Sequence, residues 1–176
     1  MYLINSDKVF ELDAIKSLLL KNHLLFTDDF NENFFGEIKL TYEKTFIKIS
    51  YDQNIYSCKL PLSFHNFFDK LFKLLHSQKI NFGFLHYSPL GQELSSIHKK
   101  IKLTDTHNIM IAEIIKNQYS GLHKNKLYRS IWPKDFEIQT GKLDTHLTNV
   151  KKLLKNEFNF ELIYKSSNGL LSFQID

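Results

Sequence analysis

The sequence predicts an α+β chain in two parts. A small α/β segment fills 1–80, and 81–176 carries a small antiparallel sheet, three helices and a C-terminal hairpin. Three observations predict this. Apolar residues recur at helical spacing in five separate stretches. Short runs rich in β-formers, cut by polar turn residues, occupy most of the remainder. Near the C-terminus, Asn168-Gly169 sits between two such runs, a strong hairpin signal. A length of 176 residues allows one or two domains, and 43% hydrophobic residues is ample for packed cores.

In chain order, 1–4 is a short apolar run that suits a buried strand. Leu12, Ile15, Leu18, Leu19, Leu20 and Leu24 predict a helix over 11–22, with Asp13 favourably placed in its first turn. The polar 27–33 reads as a loop. Ile38, Leu40 and Tyr42, then Phe46, Ile47 and Ile49, give a partly alternating 35–50, and 55–60 resumes after Asp52-Gln53-Asn54. That predicts an antiparallel meander with a turn near 52–54, stopped by Pro61. Ser63 is placed to cap a helix over 64–76 whose apolar stripe is Phe64, Phe67, Phe68, Leu71, Phe72, Leu74 and Leu75. The polar 77–81 is the expected domain boundary.

Residues 82–87, 93–97 and 100–103 predict short strands, with Ser88-Pro89-Leu90-Gly91 as a turn. Thr104 is a good cap for a helix over 105–116, and Gly121 marks a helix end. A second helix is expected over 123–132, ended by Pro133. Thr140 is the expected cap of a third, running to about 156. Its inner face is Leu143, Leu147, Val150 and Leu154. Its outer face is Lys142, Thr145, His146, Asn149 and Lys152, all hydrogen-bond donors. Residues 161–164 and 170–175 flank the hairpin turn at 166–169.

The charge pattern narrows the functional classes. Residues 1–80 hold ten Lys and ten acidic residues, so the whole net charge of +4 lies in 81–176. Such an excess suits phosphate neutralisation, and equally an ordinary solvated surface. Cys58 is the single cysteine, so no disulfide forms within the chain and a thiolate zinc site is ruled out. No run of about 18 apolar residues occurs, and the first residues carry no secretory pattern, which predicts a soluble cytoplasmic protein without membrane partners. The eight His form no His-Glu-x-x-His pattern, the six Gly form no phosphate loop, and Ser88-Pro89-Leu90-Gly91-Gln92 is no nucleophile elbow. A non-enzyme without cofactors is expected.

Residues 82–176 resemble the OmpR/PhoB-type winged-helix domain of bacterial response regulators. Leu103-Thr104 matches that family's start of its first helix, and Leu127…Ile131-Trp132 its Leu…Val-Trp second helix. Leu143-Asp144-Thr145-His146-Leu147 matches its Val-Asp-Val-His-Ile recognition helix. Val150-Lys151 stands for Leu-Arg and Gly169-Leu170 for Gly-Tyr. Lys151 replaces a guanidinium fork with a point charge, and Leu153 stands where Lys is usual. Residues 1–80 bear a weaker likeness to a receiver domain through Lys59-Leu60-Pro61 and the helix after it. Receivers need about 120 residues, an acidic pocket and a phosphate-accepting Asp ending a central strand. The segment therefore reads as a shortened, degenerate receiver-like or dimerisation domain that is not phosphorylated. Asp28-Asp29 is a conceivable Mg²⁺ pair but follows a helix, which favours a solvated loop.

The resemblance implies a transcription regulator that reads double-stranded DNA sequence-specifically, in the manner of a two-component system output domain and as a homodimer. Thr145, His146, Thr148 and Asn149 are the candidate base-reading residues, since Asn bonds adenine bidentately and Thr offers a methyl and a hydroxyl. Lys142, Lys151, Lys152 and Lys155 are candidate phosphate contacts, joined by Lys124, Lys126 and Arg129 from the second helix. Trp132 either meets the DNA backbone or fills the core. Lys165 and Ser166 of the wing either reach a minor groove or form a plain turn. The alternative is an adaptor whose winged helix contacts RNA polymerase or another regulator instead of DNA. The Phe stripe of 64–76 is either a partner surface or core packing.

Overall fold

A computed structural model describes residues 2–6, 26–27, 37–43, 46–51, 54–59, 63–76 and 79–174. The helix expected over 11–22 and the Asp28-Asp29 pair lie outside them. The chain divides into two compact units, Met1–Gln78 and Lys79–Asp176.

The first unit is built on a five-stranded mixed sheet of order β2-β1-β3-β4-β5. Its strands are β1 (Tyr2–Ser6), β2 (Phe26–Thr27), β3 (Glu37–Glu43), β4 (Phe46–Tyr51) and β5 (Asn54–Lys59). β1 runs parallel to both β2 and β3, whereas β3-β4 and β4-β5 are antiparallel. The partly alternating stretch read over 35–50 is thus two strands, because its apolar period restarts at Phe46. Opposite residues share a face, so the pairs Leu40↔Ile49 and Ile47↔Cys58 place one apolar set together. Ile38, Leu40, Ile47, Ile49 and Cys58 are all buried. Helix α1 (Phe64–His76) packs against β5 and buries Phe67, Leu71, Leu74 and Leu75, each worth about 1.5–3 kcal/mol of transfer free energy. The Asn66 amide donates to Ser63 Oγ at 3.3 Å, the cap that the sequence predicts. Phe67 belongs to the core, while Phe68 and Phe72 are half-buried and in ring contact at 6.1 Å.

The second unit opens with an antiparallel sheet of β6 (Ile80–Phe82), β7 (Leu85–Ser88), β8 (Glu93–Ser95) and β9 (Lys100–Lys102), in that order. The single strand expected over 82–87 is a hairpin. Phe82 pairs with Leu85 across Gly83-Phe84, and Gly83 takes the left-handed φ of 60° that reverses the chain. Phe82, Leu85, Tyr87 and Leu94 form its buried face.

Three helices follow: α2 (Asp105–Lys116), α3 (Lys124–Ile131) and α4 (Thr140–Phe158). Thr104 Oγ1 accepts from the His107 amide at 3.3 Å and caps α2 as expected. His123 caps α3, its ring Nδ1 accepting from the Asn125 amide at 3.2 Å. Thr140 does not cap α4. It is the first helical residue, and Gln139 precedes it without a side-chain bond. α4 runs two residues past the expected 156, until Asn159 adopts a left-handed φ of 54°. Each helix packs on the other two, around Met110, Ile111, Ile114, Leu127, Ile131, Leu143, Leu147, Val150 and Leu154.

The chain closes on β11 (Ile163–Ser167) and β12 (Leu170–Gln174). Asn168 and Gly169 have φ of 50° and 79°, the double positive-φ pair of a tight hairpin turn. The two-residue β10 (Leu122–His123) pairs with β12, so the hairpin is tied to the start of α3. The unit is therefore a three-helix cluster with a sheet before it and a wing after it. Among the described residues, no helix is long and apolar enough to cross a membrane.

Candidate nucleic-acid interface

α4 is about 28 Å long at 1.5 Å per residue and has two chemically distinct faces. Leu143, Leu147, Val150 and Leu154, at spacings of four, three and four, are fully buried. Directly opposite, Thr145, Thr148, Asn149, Lys152 and Asn156 are exposed. Thr145 Oγ1 donates to Gly141 O and Thr148 Oγ1 to Asp144 O, both at 2.9 Å. Those bonds consume the hydroxyl protons and leave oxygen lone pairs and methyl groups facing out. Asn149 and Asn156 are exposed, and among the described residues their side-chain amides have no hydrogen-bond partner. Gly141 borders open space, since a Cβ there would meet nothing within 4 Å. Asn156 and Gly141 escaped sequence reading, although extending the 3.6-residue period by one turn would have found Asn156.

The cations of this unit fall into two groups. Lys124 Nζ bonds Asp144 Oδ1 at 2.7 Å. Lys142 Nζ bonds Asp135 Oδ2 at 2.9 Å and lies 4.1 Å from the Trp132 ring centroid. Arg129 donates to the backbone carbonyls of Asp135 and Phe136. These three hold the fold together. Lys126, Lys151, Lys152, Lys155 and Lys165 are exposed, and among the described residues none has a partner. Ser166 is exposed beside Lys165 on β11.

Asp135 organises the connection between α3 and α4, a role with no sequence signal. Tyr128 Oη donates to its Oδ2 at 2.6 Å, alongside Lys142. These bonds hold the Asp135 carboxyl below the usual carboxylate range. Burial, reinforced by the same carboxylate, pushes the Tyr128 hydroxyl up. Arg129 and Tyr128 thereby fasten a segment whose tip, Phe136, is 94% exposed.

His146 does not lie on the outer face where its spacing suggested. It is half-buried on the flank of α4, with its ring 5.2 Å from Trp132 and 6.4 Å from His107. Trp132 is half-buried as well, stacked on Tyr128 at 4.8 Å. The first turn of α4 has no acidic residue and no side-chain cap, and the Lys142 and Leu143 amides donate to Gln139 O, which leaves only the Thr140 and Gly141 amides without a partner among the described residues.

No protein-family model matches the sequence, and no curated protein matches it. Solved structures are similar in part. The DNA-binding domain of E. coli CadC aligns with a TM-score of 0.49 at 11% identity, over 56% of this chain and 94% of that one. The C-terminal domain of the nisin resistance regulator NsrR, a lantibiotic response regulator, aligns with a TM-score of 0.42 at 20% identity, over 56% and 96%. A member of a family of streptococcal redox sensors evolved from two-component response regulators aligns with a TM-score of 0.44 at 11% identity. That alignment spans 99% of this chain and 67% of the other.

Proposed function

We propose that this chain is a sequence-specific, double-stranded DNA-binding transcription regulator of the OmpR/PhoB type, acting in the cytoplasm. The observation that carries the reading is the outer face of α4. Thr145, Thr148, Asn149 and Lys152 stand exposed and available, directly opposite a fully buried apolar stripe. A major groove admits one helix, and Asn and Lys edges discriminate base pairs there. Lys126, Lys151 and Lys155 take phosphates, and Lys165 with Ser166 reaches the neighbouring groove from the wing. Lys142, Lys124 and Arg129 support this surface from behind rather than touching DNA. The solved structures named above include DNA-binding domains, which agrees with this reading without carrying it.

The Met1–Gln78 unit serves dimerisation and works without phosphorylation. Its strand order β2-β1-β3-β4-β5 is that of a doubly wound flavodoxin-type sheet, with two crossovers replaced by hairpins. A shortened, degenerate receiver fits that geometry. Selection of bound duplex fragments by the purified chain, at two salt concentrations, tests the whole reading. The expected result is a recurring motif with half-sites about one helical turn apart. Weak, sequence-blind binding that vanishes at physiological salt would overturn it.

One observation favours the adaptor reading: Phe136, fully presented on a fastened segment, is the kind of anchor that a protein partner such as RNA polymerase takes. Reversing Lys151 and Lys152 abolishes DNA binding under the first reading and spares partner binding under the second, where Phe136→Ala does the opposite.

A further inference from the structure

His107 and His146 meet where the first turn of α2 lies against the flank of α4, with their rings 6.4 Å apart and steeply inclined. Trp132 closes the cluster at 5.2 Å from His146. The Nδ1 of His146 is buried and has no hydrogen-bond partner among the described residues. A neutral imidazole tolerates such a place, because its unprotonated nitrogen needs no counter-charge. An imidazolium there has a buried N–H with nothing to accept it.

Among the described residues, neither ring forms an ion pair with a carboxylate. On α2, Asp105 accepts from Gln92 Nε2 at 2.9 Å and Glu113 is paired with Lys116. On β8, in the sheet before α2, Glu93 is paired with Lys100 at 2.6 Å. From α3, Lys124 holds Asp144 of α4 at 2.7 Å. On the α3–α4 connection, Asp135 is bonded by Tyr128 and Lys142. Lys142, a turn before His146, places its cation over the same Trp132 ring. His107 is the third residue of a helix whose N-terminal dipole end already disfavours positive charge. On α4 itself Glu157 is paired with Lys99, so each of these carboxylates already has a bonding partner other than the two rings, and the cation over the shared Trp132 ring is positive.

We infer that the His107–His146 pair is a built-in acid switch, in which uptake of a proton by the cluster loosens α4 from α2. Burial first, and then the charge of His146, holds the His107 imidazole below its ordinary range. A histidine whose folded pKa is depressed stabilises the fold above its unfolded pKa of about 6.5. That contribution is lost as pH falls from there toward the folded value. Because α4 carries the proposed reading face, acidification also weakens DNA binding. That last step rests on the DNA-binding reading, and the switch itself does not.

The test therefore uses no DNA. The full chain is unfolded in urea at several pH values between 8 and 5, followed through Trp132, whose signal belongs to this unit alone. The expected result is an unfolding constant that rises below about pH 6.5, tenfold for each unit of pKa depression. His107→Gln and His146→Gln each flatten that rise, and their double-mutant coupling differs between pH 5 and pH 8. His98→Gln, at an exposed position outside the cluster, leaves the rise unchanged. A rise of full wild-type steepness in both cluster variants overturns the switch. Where a variant fails to fold, imidazole proton resonances of the wild type decide. His107 titrating below the ordinary range, in step with a shift at His146, supports the switch. Independent titration at the ordinary midpoint overturns it.

Discussion

The inner and outer faces of α4 differ in what they contribute, although both are written in the same nineteen residues. The inner face, Leu143, Leu147, Val150 and Leu154, is fully buried and carries stability. The outer face, Thr145, Thr148, Asn149 and Lys152, is exposed and, among the described residues, bonds only to its own helix backbone, so it contributes little to it. Between them lies a flank that looks outward in sequence yet packs into the fold, Lys142 through its bond to Asp135 and His146 through ring contacts with Trp132 and His107. Polar residue type therefore does not separate recognition from support on this helix. The partner that each side chain finds does.

The sharpest way to break the contrast is at the buried face. Leu147→Ala removes a fully buried side chain and is expected to lower the stability of the second unit by about 2–5 kcal/mol, measured by urea unfolding through Trp132. On the flank, Asp135→Asn removes the charge that gathers Lys142 and Tyr128. It is expected to lower stability by less than Leu147→Ala does, because the carboxylate is a third exposed and solvent screens its charge. That deficit also has a pH signature. The Asp135 carboxyl is held low, so its contribution is present above the unfolded value of about 3.9 and lost as pH falls through the folded one. Wild type and variant midpoints should then converge in strong acid; a constant gap would remove Asp135 as the charged organiser.

On the outer face, Lys152→Glu is expected to change stability by less than about 0.5 kcal/mol. Its effect appears in DNA binding instead, as a uniform loss of affinity across sequences and a salt slope smaller by about 1. Lys142→Glu should behave in the opposite way, losing stability along with any affinity. If Lys142→Glu and Lys152→Glu proved alike in both measurements, the division between flank and face would fail. Asn149→Ala is the finest probe, expected to relax preference at one base position by about 1–3 kcal/mol with unfolding unchanged.

Much of this was legible in advance. The four-three-four spacing of Leu143, Leu147, Val150 and Leu154 marks a buried stripe because 3.6 residues make a turn. Thr104 before Asp105 marks the start of α2 because its hydroxyl can accept from a first-turn amide, and Asn168-Gly169 marks the hairpin tip because few other residues suit two successive positive φ angles. The misreadings have local causes. Gly83 reverses a chain that alternates as a single strand would, and Gln139 leaves α4 uncapped although Thr140 has the better capping chemistry.

What the sequence by itself determined is periodicity and propensity: where α1, α2 and α4 lie, which residues line their buried faces, and that the excess positive charge belongs to 81–176. Only the tertiary structure decided which of eight candidate cations remain available. It drew Lys142 to Asp135, Lys124 to Asp144 and Arg129 to two carbonyls, while Lys126, Lys151, Lys152, Lys155 and Lys165 stayed exposed and without a partner among the described residues. It also turned His146 inward to meet Trp132 and His107. The physical reason is range. Helical spacing and capping act within about four residues and are written locally, whereas an ion pair or ring contact depends on elements brought together by the packing of the whole unit.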